Sequence, residues 1–86
     1  MPEISRFYGI IIQMYYGDHA PPHFHAWYGG EVAKVDIDSL SLIQGRLPGR
    51  ALGLVIERAS LHQEELREAF AKVASMQPTG KIEPLR

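Results

Sequence analysis

The chain has 86 residues, 45% of them hydrophobic and 22% charged, with a net charge of −1 and no cysteine. That length allows one domain with a modest core, and the composition is that of a globular protein rather than a disordered one. The charge balance excludes the global basic excess common among nucleic-acid binders, and the missing thiols exclude disulfides, cysteine nucleophiles and thiolate metal sites. Any metal must therefore be held by histidine, carboxylate or backbone oxygen.

The longest apolar run, Gly9 to Met14, is interrupted by Gln13 and is too short to span a bilayer. The opening Met1-Pro2-Glu3-Ile4-Ser5 lacks the basic region and apolar core of a signal peptide, so a cytoplasmic protein is expected. A single domain over residues 1–86 is expected, with a sheet over 4–45, a helix over 48–76 and a tail over 77–86.

Residues 4 to 7 are a short strand candidate. Ile10 to Tyr16, β-branched and aromatic between Gly9 and Gly17, reads as a strand with Ile10, Ile12, Met14 and Tyr16 on one face. Ile11, Gln13 and Tyr15 take the other. The loop to Pro22 is stiffened by Pro21 and Pro22, and its prolines favour an extended Ala20 and Pro21.

His23 to Tyr28 and Glu31 to Asp38 read as the next two strands, joined by Gly29-Gly30, a two-residue loop suited to a tight hairpin. That loop fixes a register: Tyr28 opposite Glu31, Ala26 opposite Ala33, Phe24 opposite Val35, His25 opposite Lys34 and His23 opposite Asp36. Side chains alternate along a strand. One face then carries Phe24, Ala26, Tyr28, Ala33, Val35 and Ile37 as a core. The other carries His23, His25, Trp27, Val32, Lys34 and Asp36, extended by Gln13 and Tyr15.

Ser39 to Gly45 is a second short strand candidate, so the expected sheet has three or four antiparallel strands. Pro48 suits a helix start. From there Leu52, Val55, Ala59, His62, Leu66, Ala69, Val73 and Met76 recur at steps of three and four. The unbroken phase favours one long helix of roughly 28 residues and about 42 Å. Ser60 and Gln63 have capping-box spacing that would divide it in two. The expected architecture is α+β, with this long or broken helix across the apolar face of the sheet. Ile82 and Leu85 are expected to dock the tail.

Three of the four histidines fall within seven residues, His19, His23 and His25. His23 and His25 share a strand face with Cβ atoms on the order of 7 Å apart, close enough for two imidazoles to converge on one ion. His19 can add a third nitrogen. Asp36 is either a ligand or the partner that fixes the tautomer of His23. Such a set suits a divalent transition metal: zinc, iron, manganese or nickel. The alternative is that the histidines order the Pro-Pro loop and bind nothing. Gly17 and the His23-Phe24-His25 run also match the opening of the cupin metal motif. Glu31 is out of place for it, the later glycine is absent, and a helical final third does not fit a jelly roll of about eight strands.

Acid–base chemistry without metal is a second reading. His23, His25, Asp36, Lys34 and Tyr15 resemble a proton-transfer set, and RNA cleavage by its own 2′-hydroxyl needs little more than a base, an acid and a cation. Lys34, Arg46 and Arg50 can supply the cation, and Trp27 and Tyr15 can stack on bases. Trp27, Arg46, Arg50 and Arg58 are the candidates for contact with a partner or nucleic acid. The same aromatic, histidine-rich face equally suits a protein interface without catalysis. His62, in the apolar stripe of the helix, is expected to be half-buried and hydrogen-bonded.

The run Asp18-His19-Ala20-Pro21-Pro22-His23-Phe24-His25-Ala26 resembles the signature of small bacterial and archaeal proteins grouped as domain of unknown function 4160. The resemblance covers nearly the whole chain: Pro2-Glu3-Ile4 before Phe7 and Gly9, Gly45-Arg46-Leu47-Pro48 before the helix, His62 to Glu65-Leu66, and Ile82 to Leu85. It departs at Arg58 and Phe70, where members often carry tryptophan. The resemblance implies a neighbouring gene for a second small protein, and membership of a two-protein module of toxin–antitoxin type. It implies no established activity. The function expected is therefore a component of such a module, binding a small cognate protein and acting on RNA in a further extension. A metal-binding protein or metal-dependent hydrolase, and a regulatory binding module, are the alternatives. A homo-oligomer stays open.

Overall fold

The computed structural model describes residues 3–78. The fold is α+β, built from strands β1 (Glu3–Phe7), β2 (Ile10–Gln13), β3 (His23–Tyr28), β4 (Glu31–Asp36) and β5 (Leu42–Gly45), then helices α1 (Gly49–Ser60) and α2 (Gln63–Ala74). The five strands form one antiparallel meander in sequence order. Both short strand candidates are thus real, as the two edges of the sheet. The expected docking of Ile82 and Leu85 lies outside the described residues.

Short turns explain the pairing. Tyr8 and Gly9 both take left-handed backbone angles, φ 50° and 79°, which match the twist of a two-residue hairpin. Gly29 does the same at φ 61° between β3 and β4. The β3–β4 register is the one that loop predicts, from Tyr28 opposite Glu31 to His23 opposite Asp36. At Gly45, φ is 76° and a Cβ would run into the carbonyl oxygen of Val32, so only glycine lets β5 close onto β4 there.

One face of the sheet, with Phe7, Ile10, Ile12, Phe24, Ala26, Ala33 and Val35, forms a single core with Ala51, Val55 and Ala59 of α1 and Leu66, Ala69, Phe70 and Val73 of α2. A bulge in β1 between Glu3 and Ser5 turns both Ile4 and Ser5 inward. The helical segment is divided at Leu61-His62. A continuous 28-residue helix would run about 42 Å, against a longest dimension of 32 Å for the described structure. Two shorter helices instead cover the same apolar face. Ser60 does not cap the second one, because its hydroxyl donates back to the Glu57 carbonyl oxygen. His62 stands at the N-cap, and its Nδ1 pairs with Glu65 Oε1 at 2.7 Å. Among the described residues no helix is long and apolar enough to cross a membrane.

Candidate functional site

The connection from β2 to β3 builds the site. The Gly17 N–H donates to the Val73 carbonyl at 2.8 Å, which fastens the connection to the last turn of α2. The peptide between Ala20 and Pro21 is cis. This path lays Asp18 and Phe70 over the first residue of β3. His23 is consequently 2% exposed, its ring 5.3 Å from that of Phe70. This corrects the expectation that His23 stands on the open polar face: strand alternation places it there, but the connection and α2 close over it.

The two nitrogens of His23 have different surroundings. Nδ1 lies 2.7 Å from the Pro21 carbonyl oxygen, which can only accept, so Nδ1 carries the hydrogen and Nε2 of the neutral ring carries the lone pair. Nε2 lies 2.7 Å from Asp18 Oδ2, within ion-pair distance. Nε2 is nevertheless a buried nitrogen with no hydrogen-bond partner. The two polar atoms thus face a common space without a completed hydrogen bond.

His25 adds the second unsatisfied nitrogen. Its Nδ1 is buried and unbonded. The ring stacks on Tyr15 at 4.2 Å and meets the edge of His23 at 5.4 Å. In the sheet it lies between Gln13 of β2 and Lys34 of β4. Burial first, and then the neighbouring His23, push the His25 pKa below the ordinary imidazole range. The Asp18 charge opposes this shift and Lys34 adds to it. A ring kept neutral keeps its lone pair available. Asp18, His23 and His25 each offer one ligand atom, all within 4.8 Å of one another.

The structure brings His23 and His25 together as the sequence suggests and adds Asp18. His19 and Asp36 stand outside that group. The His19 side chain is exposed; only its backbone N–H contacts the site, donating to Asp18 Oδ1 at 3.2 Å. Asp36 does oppose His23 in the sheet. Its Oδ1 instead accepts from the backbone N–H groups of Asp38 and Ser39 at 2.8 and 2.9 Å, and these bonds, that from Ser39 foremost, lower its pKa. Tyr15 and Lys34 flank His25. Trp27 lies on the open face between Ile11 and Val32.

The arginines disperse. Arg46 reaches Glu31 at 2.9 Å in an exposed pair, and Arg67 takes Asp38. Arg50 is exposed on the first turn of α1. Arg58 lies over the rings of Phe7 and Tyr8, at 5.5 and 5.0 Å. Sequence reasoning does not single out Asp18 as a site residue, because its approach to His23 depends on the path of a loop. Its place at the head of the Asp18–His25 run is the signal that was there to use.

These features define a small α+β protein with a His/Asp cluster at the mouth of its central strand. The chain belongs to the family described as domain of unknown function (DUF4160), whose model matches residues 9–71. No curated protein and no solved structure matches it.

Proposed function

We propose that this chain binds a divalent transition metal through Asp18, His23 and His25. The observation that supports it is the pair of buried imidazole nitrogens, His23 Nε2 and His25 Nδ1, left without hydrogen bonds beside one carboxylate. A buried unsatisfied polar group costs roughly 1–3 kcal/mol, and two on residues whose ligand atoms lie within 4.8 Å of one another call for a shared partner. The Pro21 carbonyl fixes the tautomer that presents Nε2, the usual second-layer arrangement for a ligating histidine. Two nitrogens and a carboxylate suit zinc, with manganese, iron and nickel as alternatives. Three protein ligands leave room for a water, and a metal bound there would lower the pKa of that water for hydrolysis. In this reading Lys34 and Tyr15, which flank His25, hold an anionic group and a ring beside the metal.

The test is metal content and affinity of protein purified without an affinity tag. One zinc per chain, lost in Asp18→Asn and His25→Gln, is expected. The loss should exceed the roughly 10–100-fold typical of a removed second-layer partner. Metal well below one per chain, together with no zinc-dependent rise in thermal stability, overturns the proposal.

A second reading, a two-protein module of toxin–antitoxin type, is supported by β5. This edge strand leaves Leu42 and Ile43 42% and 43% exposed and has no neighbour on its outer side among the described residues. An apolar open edge suits strand addition by a small cognate protein. RNA as the target, and a purely regulatory role, are versions of this reading. Inducing the chain with and without its genomic neighbour tests it. Co-purification and a growth effect relieved by the neighbour are expected; neither being seen counts against it.

A further inference from the structure

A groove of about 940 Å³ lies at the other end of the sheet, between the β1–β2 and β3–β4 turns and the outer side of α1. Tyr8, Tyr28, Arg50, Gly53, Glu57 and Arg58 are among the residues lining it. Four features meet at this place.

Tyr8 occupies a left-handed turn position, φ 50°, where asparagine or glycine is far less strained, yet its ring is 73% exposed and stabilises no core. Arg50 and Arg58 have no carboxylate partner among the described residues; the Arg58 guanidinium lies over Phe7 and Tyr8, and its Nε is buried without a hydrogen bond. The first turn of α1 carries no acidic residue and no side-chain cap, and Pro48, Arg50 and Ala51 at that end line the groove. Gly53 leaves the wall bare: a Cβ there would meet nothing within 4 Å.

We propose that this groove binds a phosphorylated nucleoside, as a free nucleotide or as the end of an RNA strand. Arg50 and the first turn of α1 take the phosphate, and Tyr28 and the face of Tyr8 turned away from Arg58 take the base by stacking. Arg50, Arg58 and Glu57 leave the lining with a net single positive charge, which favours an anion. An acidic peptide satisfies the arginines but gives the two exposed rings nothing planar to stack on. The groove is distinct from the His/Asp cluster and does not depend on a metal there.

The test follows the backbone and side-chain resonances of the intact chain during titration with adenosine 5′-monophosphate, adenosine, inorganic phosphate, a 5′-phosphorylated trinucleotide and a glutamate-rich peptide. Saturable shifts at Tyr8, Tyr28 and Arg58 are expected with the monophosphate, with adenosine and phosphate each about tenfold weaker or worse. A trinucleotide binding more tightly than the monophosphate identifies a strand end; equal binding identifies a free nucleotide. Tyr8→Asn suits the turn better than the native residue, and Gly53→Leu fills open space on a helix. Both should fold normally and weaken binding by about tenfold or more. No shift in the groove at saturating monophosphate, undiminished binding by the two folded variants, or equal binding of the peptide overturns the proposal.

Discussion

The two sides of β3 divide the work of the molecule. Phe24 and Ala26 point into the core and are wholly buried, whereas His23, His25 and Trp27, one residue out of phase, carry polar atoms that the fold leaves unsatisfied. A strand that spent both faces on packing would bury both in apolar contact. The difference interleaves core packing and unsatisfied polar atoms at a period of two on one element, separable by single substitutions. His23 alone straddles the division, because α2 closes over it.

Phe24→Ala should have the largest effect. It opens a cavity at the centre of the core and should destabilise by about 3–5 kcal/mol in urea unfolding, with metal binding lost only as the protein unfolds. His23→Ala comes next, at about 1–3 kcal/mol, because the Pro21 carbonyl loses its donor and the space beside Phe70 is left unfilled. An equal loss from His25→Ala would break the comparison, since that ring is only half-buried; its expected change is below about 1 kcal/mol. Asp36→Ala should cost about 1 kcal/mol without altering metal affinity, as its carboxylate serves the turn at Asp38 and Ser39.

The smallest effect is the pH slope of the metal-free protein. His25 has a folded pKa below its unfolded value. As pH falls through about 6.5, the unfolded chain takes up that proton before the folded chain does, so stability declines. It is recovered as pH rises again. His25→Gln should remove this part of the slope in thermal unfolding between about pH 7.5 and pH 5.5, and an unchanged slope would show that the ring is not held neutral.

What was legible in the sequence follows from how local each cause is. Gly29-Gly30 fixes the β3–β4 register through two residues, so the faces of Phe24, His25 and Lys34 can be read directly. The core helix stripe is equally local. The helix break is only half legible, because the spacing of Ser60 and Gln63 marks the place but no proline or glycine interrupts the apolar stripe at Leu61-His62. The edge strands were faint because few residues specify them and their pairing depends on Gly9 and Gly45 meeting a neighbour. Asp18 was hidden for the same reason: a bond from Gly17 to α2, over fifty residues away in sequence, carries its carboxylate to His23. The Tyr8 groove needs three separate segments and has no motif.

The unguarded edge at β5 also bears on how the molecule behaves in concentrated solution. Leu42-Ile43-Gln44-Gly45 contains neither the lysine nor the proline with which exposed edge strands commonly discourage further pairing. Produced without a partner, the chain should self-associate with rising concentration through this edge, and Ile43→Lys should make it better behaved at little cost to the fold.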